Sequence, residues 1–386
     1  MPEDYRDSGF GLYVHWPFCE AKCPYCDFNS YVSRSIDHAA WRAAYVSEIH
    51  RVAQETPGRV LNSIFFGGGT PSLMEPATVQ AVIDTACRLW TPANDIEITL
   101  EANPSSVEAD RFNDYHAAGV NRVSLGVQAL NNPDLKRLGR LHSVEDAFAA
   151  IEIAQNVFGR TSFDLIYARQ DQTPDAWAAE LSQALSLGTE HLSLYQLTIE
   201  PQTAFGDRYK AGTLRGLPDE DRAVALFDLT QDMTQAAGFH RYEVSNHASP
   251  TAQSRHNLIY WRYGDYVGIG PGAHGRLTIG GLRLATETPL SPIEWLKGAT
   301  SGNGESSRVS LSSTEAADEF LLMGLRLTEG IDMTRYAAIS GQRLNQDVVR
   351  ELTDLGFITA SDRNLSVTNQ GLKLLNAVLD RLITSH

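Results

Sequence analysis

The chain has 386 residues, enough for one large domain and a smaller one, with 42% hydrophobic and 20% charged residues. A formal net charge of −15 argues against broad contact with nucleic-acid phosphates, and no apolar run approaches the roughly 18 residues of a membrane span. The opening Met1-Pro2-Glu3-Asp4 has neither the positive nor the apolar segment of a secretory signal, so a soluble, cytoplasmic protein is expected.

Residues 1–204 alternate short β-branched apolar runs with helical patterns. Strands are predicted over Leu12–His15, Ser63–Phe66, Glu97–Leu100, Arg122–Leu125, Ser162–Ile166 and His191–Leu194. Helices are predicted between them at Trp41–Val52, Thr78–Leu89, Ala109–Ala118, Val144–Val157 and Asp175–Leu187. Six βα units in series mean a parallel sheet, and periodicity alone does not separate an open doubly wound sheet from a partial (β/α)6 barrel. The chemistry-bearing residues favour the barrel. Cys19–Cys26, Gly67–Thr70, Glu101, Gln128 and Gln196 each follow or end a strand, Asp164 lies on one, and barrel sites gather at C-terminal strand ends.

Residues 205–311 read as an irregular extension rich in Gly, Pro, Ser and Thr, with one hairpin across Gly280-Gly281. Residues 312–386 read as a winged-helix-like domain: helices Thr314–Leu327, Met333–Ala338 and Asn345–Leu355, a hairpin at Phe357–Val367, and a last helix Gln370–Ile383. Its third helix has no basic stripe, so DNA is not expected as a partner.

The four cysteines are Cys19, Cys23, Cys26 and Cys87. Three thiolates spaced CxxxCxxC on a loop after a strand suit three irons of one [4Fe–4S] cubane. Cys87 falls in a helical pattern as a small apolar residue, which leaves the fourth iron for a ligand from outside the protein. The competing reading is a zinc site with His15 as fourth ligand. Structural zinc usually takes paired short-spaced ligands from two loops, and His15 shares the strand that leads into the motif.

The run Tyr13-Val-His-Trp-Pro-Phe-Cys19-Glu-Ala-Lys-Cys23-Pro-Tyr-Cys26, followed by Gly67-Gly-Gly-Thr-Pro-Ser72, resembles the radical SAM superfamily in its coproporphyrinogen dehydrogenase-like branch. The resemblance spans nearly the whole chain. It implies a [4Fe–4S] cluster on Cys19, Cys23 and Cys26, and an S-adenosylmethionine (SAM) site including Tyr13, Tyr25, Gly68, Gly69, Thr70, Glu101, Gln128, Arg140 and Asp164. These residue types suit those roles. Glycines allow close backbone approach, Glu101 can pair the methionyl ammonium, Arg140 its carboxylate, and Asp164 can accept from ribose hydroxyls.

Within that branch, dehydrogenases carry a further cysteine two residues after the third cluster ligand, where this chain has Phe28. Cys26-Asp-Phe-Asn-Ser30, Tyr242-Glu-Val-Ser-Asn246 and His256-Asn-Leu-Ile-Tyr-Trp261 instead resemble the haem-chaperone group. The turn Ala168-Arg169-Gln170-Asp171 departs from the Gly- and Pro-containing turn of many relatives. The resemblance implies haem binding, with His256 as candidate ligand and His247 and His274 as rivals, and delivery of haem to acceptor haemoproteins of respiration. A low-potential electron donor is a further implied partner. Peripheral membrane contact and a homodimer stay open, and the alternative activity is oxygen-independent coproporphyrinogen III dehydrogenation.

Overall fold

The computed structural model describes residues 8–33, 35–105 and 109–384; the opening residues read above for a secretory signal lie outside them. Each predicted strand of the first half is present and a little longer than its apolar run. They are β1 (Phe10–Trp16), β2 (Val60–Gly68), β3 (Thr91–Ala102), β4 (Arg122–Gln128), β5 (Arg160–Tyr167) and β6 (His191–Gln196). All six pair in parallel, in chain order. Helices α1 (His38–Glu55), α2 (Pro76–Leu89), α3 (Phe112–Ala117), α4 (Asn132–Arg137), α5 (Val144–Val157) and α6 (Pro174–Leu185) fill the crossovers.

Local chemistry sets their ends. Ser143 and Asp146 form a capping box at the start of α5, and the Thr173 hydroxyl accepts from Ala176 N with Pro174 opening α6. On α6, Trp177 stacks on Tyr167 of β5 and donates through Nε1 to Thr230 Oγ1 at 2.8 Å, so its burial leaves no polar atom unpaired.

The stretch expected as an irregular extension adds six strands to the same sheet: β7 (His240–Arg241), β8 (Asn246–Ala248), β9 (Asp265–Ile269), β10 (His274–Ile279), β11 (Leu282–Glu287) and β12 (Ser307–Ser310). The full order is β12-β11-β10-β9-β1-β2-β3-β4-β5-β6-β8-β7, with an end at each side, so the barrel is partial. Strand β9 runs parallel to β1, a seventh parallel strand that the sequence pattern did not announce. Most of these strands are short and antiparallel, too short to show a period of two. The predicted hairpin is present, with Ile279 opposite Leu282 and both turn glycines at positive φ.

The main core lies between sheet and helices and includes Trp16, Trp41, Trp90, Trp177 and Trp295. A second core, built from Phe320, Tyr336, Val349, Leu352, Leu365 and Leu379, belongs to the C-terminal helices and their three-stranded wing. The expected last helix is two helices, Asn369–Leu372 and Leu375–Ile383, broken where Leu374 leaves helical φ.

Strand β9 is fastened by a buried charge. Asp265, fully enclosed, accepts from Arg59 Nη1 at 2.5 Å, from Thr278 N at 2.5 Å and from Thr278 Oγ1 at 2.9 Å, and also pairs with Arg283. Removing one partner of such a group leaves uncompensated buried charge. Asp265→Ala should therefore destabilise the fold by roughly 3–5 kcal/mol, read from chemical denaturation.

Candidate functional site: a cysteine-lined cavity

Side chains alternate along a strand, so on β1 to β6 every second residue points into the barrel. At the C-terminal strand ends these residues surround a cavity of about 430 Å3. Cys19, Cys23, Cys26, Tyr25, Gly68, Gly69, Thr70, Glu101, Gln128, Arg140 and Asp164 all line it. Eleven of the twelve expected cluster and SAM residues thus line one cavity; Tyr13 is the exception, and the haem candidate His256 does not line it either. Tyr13 is enclosed beneath the cavity and bonds to His15 Nδ1 at 2.9 Å.

The cysteines sit half-buried on one loop. That loop is sewn to the end of β2: Gly69 N donates to Trp16 O at 2.7 Å and Thr70 N to Phe18 O at 2.9 Å. A Cβ on Gly69 would lie 2.7 Å from Phe18 O and 3.0 Å from Cys19 Sγ, and Gly68 has φ +111°. The glycines are therefore required first by the cysteine loop itself. Among the described residues no three His, Cys, Asp or Glu side chains converge as a single-ion site requires. His15, the zinc alternative's fourth ligand, engages Tyr13 and the Asn29 carbonyl with its two ring nitrogens. Three separate thiols on one loop fit three irons of a cluster better than one zinc ion. Burial pushes the Cys26 thiol up to about 11, so loading this site must displace its proton.

The opposite wall is charged. Arg140 reaches Cys23 Sγ at 3.4 Å through Nη1, and Asn103 Oδ1 at 2.5 Å and Gly126 O at 2.8 Å through Nη2. Glu101 accepts from Gly68 N at 3.3 Å. Burial, then the neighbouring Asp164, pushes its carboxyl up to about 8. Burial also raises Asp164 to about 6, against hydrogen bonds from Ser193 and Ser124 and the charges of Arg122 and Arg140. Two carboxylates held above their ordinary range in one enclosed space form a site whose electrostatics a cationic ligand relieves.

Asn103, Ser124, His142 and Tyr195 also line the cavity and were not singled out from sequence. Asn103 joins Arg140 to Thr70, donating to Thr70 Oγ1 at 3.3 Å. The signal for it was present: 97, 99, 101 and 103 share one face of β3 and its continuation.

His256 is not brought to the cavity. It is 1% exposed, and its ring nitrogens bond Ser63 Oγ at 2.7 Å and Tyr260 OH at 2.6 Å. Burial and Arg122 push it down to about 3, so it is neutral. His247 is equally buried, while His274 is exposed beside Glu287.

Comparison with known proteins matches residues 13–182 to the Radical SAM superfamily and residues 311–374 to the HemN C-terminal domain. The chain is 39% identical over 377 residues to the heme chaperone HemW of Escherichia coli, covering 96% of this chain and 97% of that one. The chain belongs to the radical SAM superfamily. Within it, the chain falls in the HemN/HemW branch. It is also 39% identical to the mitochondrial radical S-adenosyl methionine domain-containing protein 1 of Bos taurus, over 97% of this chain and 87% of that one. Among solved structures, coproporphyrinogen III oxidase (HemN) of Escherichia coli superposes with a TM-score of 0.80 at 22% identity, over 98% of this chain and 90% of that one. At that identity the likeness is one of fold. The family's cofactors are a [4Fe–4S] cluster and SAM, which the cavity's residues fit.

Anaerobic reconstitution should therefore load about four irons per chain. Cys19→Ser, Cys23→Ser and Cys26→Ser should each lose the brown chromophore, and Cys87→Ser should keep it. Iron and sulfide assays beside the absorption spectrum check this.

Proposed function

We propose that the chain is a haem chaperone that binds haem, holds SAM on its cluster and passes haem to acceptor haemoproteins. The observation that carries this reading is the 39% identity to heme chaperone HemW across 96% of the chain. Phe28 supports it. That side chain stands at the cavity mouth, 55% exposed, where a dehydrogenase of the resembled branch would carry a cysteine. The acceptors, the electron donor, a dimer and a cytoplasmic location belong to the same proposal. Among the described residues no helix is long and apolar enough to cross a membrane.

In this reading the cysteine triad holds the cluster and the cavity holds SAM against it. The cluster, when present, would supply an iron to chelate the amino-acid end of SAM. Gly68 and Gly69 keep side chains out of that space, Glu101 pairs the ammonium, Arg140 lies by the carboxylate, and Asp164 accepts from the ribose. Tyr25 packs the cysteine loop against a small apolar cluster that includes Leu138, Ile166 and Phe205, keeping water from that side.

The pH dependence follows from Glu101. Its carboxyl is raised from 4.5 to about 8, so without a ligand the folded chain binds that proton more tightly than the unfolded chain. The resulting stability is full below about 4.5 and is lost as pH rises to about 8. A cation pairing Glu101 must expel this proton near neutral pH. SAM affinity is expected to climb from pH 6 towards about 8 and then level off, with proton release visible in calorimetry across buffers of different ionisation enthalpy. Glu101→Gln should abolish the proton release.

The function itself is tested with purified, cluster-loaded protein. It is expected to bind haem with a Soret band and to leave the propionates of coproporphyrinogen III intact; robust decarboxylation overturns the reading. Haem ligation by His256 requires its ring to leave Ser63 and Tyr260. His256→Ala is expected to weaken haem retention, and the accompanying readout decides why. A ligand role shifts the Soret band, whereas a role in packing the barrel alone lowers SAM affinity and leaves the Soret band in place.

A further inference from the structure

The turn after β5 takes a backbone path that its residues do not favour. Among the described residues five non-glycine positions have φ in the left-handed region, and two of them, Ala168 (+59°) and Asp171 (+60°), lie in this turn. A third, Gln128 (+71°), ends β4 opposite Leu165 of β5. Left-handed backbone is costly for a residue with a Cβ, so something must hold these three in place.

Arg169 is placed to do so. It is 3% exposed, and its guanidinium reaches four elements, β4, α4, β5 and α6. Nη1 donates to Ile166 O at 2.5 Å and to Gln128 O at 3.5 Å, Nε donates to Asp134 Oδ2 at 3.1 Å, and Nη2 pairs with Asp134 and Glu180. Glu180 of α6 in turn accepts from Leu130 N at 2.6 Å. Gln172 closes the turn by accepting from Arg169 N at 3.2 Å. The far side is tied down as well: Asp171 N donates to Gly216 O at 2.7 Å and Gln170 Nε2 to Arg215 O at 2.7 Å.

Two of the carbonyls that Arg169 grips belong to Gln128 and Ile166, and both residues line the cysteine-lined cavity. Ile166 also shares a small apolar cluster with Leu135, Leu138 and Phe205, against which Tyr25 of the cysteine loop packs. We infer that Arg169, backed by Glu180 and Asp134, is a positioning residue for SAM: it clamps the β4 and β5 ends so that Gln128 and Ile166 present the cavity wall. The inference rests on SAM occupying that cavity. A planar fork suits this task because one rigid group satisfies carbonyls and carboxylates from several directions.

The test uses the full chain, anaerobically cluster-loaded, with SAM as probe. The readouts are iron content, melting temperature, SAM dissociation constant and the SAM-induced change in the paramagnetic resonance spectrum of the reduced cluster. Arg169→Leu combined with Glu180→Gln removes both charges while keeping an acceptor for Leu130 N. This variant is expected to retain its iron and to bind SAM about tenfold more weakly, with a reduced spectral change. Adding Ala168→Gly and Asp171→Gly should recover most of the affinity, since glycine adopts the left-handed turn without a clamp. A folded, iron-replete double variant with wild-type SAM affinity overturns the inference, as does a loss of affinity that the glycines leave untouched. Should the double variant not fold, Arg169→Lys carries the same test: it keeps the charge, loses the fork and must show the same selective loss. A wild type that takes no SAM overturns the reading of the cavity instead, and the inference falls with it.

Discussion

The cysteine loop depends on a close backbone approach. Strands β1 and β2 pair in parallel as far as Trp16 opposite Gly68, and the next residues of each chain continue the contact by hydrogen bonds from Gly69 and Thr70. Because Gly69 has no side chain, the Phe18 carbonyl and the Cys19 sulfur can lie where a Cβ would otherwise stand. Other contacts hold the loop in that seat. Trp16 and Phe18 pack edge-on against Trp41 of α1, and Tyr45 donates to His15 O at 2.6 Å. At the far end of the loop, Asn29 donates to Pro271 O at 3.0 Å and to Leu290 O at 2.9 Å. The loop is thus fixed at both ends by the barrel and closed on itself by a short parallel pairing of Phe18–Cys19 with Tyr31–Val32, and its thiols line the cavity as free cysteines.

The opposite wall supplies the electrostatic half of the site. Polar residues enter the barrel from β3 to β6, and Arg122 lies among them, 3% exposed, donating to Ser162 Oγ at 2.8 Å. Its charge and that of Arg140 partly offset Asp164, but burial dominates, and both Asp164 and Glu101 stay above the ordinary carboxylate range. Packing the barrel with carboxylates that are poorly ionised when alone costs stability. The same arrangement favours a ligand bringing positive charge, which lets Glu101 ionise in place near neutral pH.

Much of this was legible in the sequence for a physical reason. Parallel strands buried on both faces show as continuous apolar runs, and each ends on a residue whose type is wrong for a core: a glycine triplet after Phe66, Glu101 after Leu100, Gln128 after Val127. The seventh parallel strand was not legible, because Asp265–Ile269 is five residues long and is held by Asp265, a charge that in sequence reads as solvent-facing. Asn103 and Arg169 were missed as functional residues for a similar reason. Their importance lies in which partners they reach, Arg140 and Thr70 in one case, Glu180 and Asp134 in the other, and those partners are remote in the chain.

The segment His256–Trp261 shows how a recognisable motif can act at a distance from the chemistry. Ser254 caps its short helix, and Glu97 on β3 accepts from His256 N at 3.1 Å, which brings the imidazole under the barrel. There it stacks on Phe65, with ring centroids 4.9 Å apart, and meets Tyr260 edge-on. Room for it comes from β1: a Cβ on Gly11 would lie 3.3 Å from His256 Nδ1 and 2.9 Å from Ser63 Oγ. Gly11, Tyr13 and His15 share one face of that strand, so the imidazole, the Tyr13 ring and the His15 ring line up along it toward the cysteine loop. Displacing His256 to reach a haem iron would empty the space beside Gly11 and loosen the strand that carries the cluster ligands. Haem ligation at that position and the integrity of the cysteine loop are therefore coupled through β1, whichever of them a variant is designed to disturb.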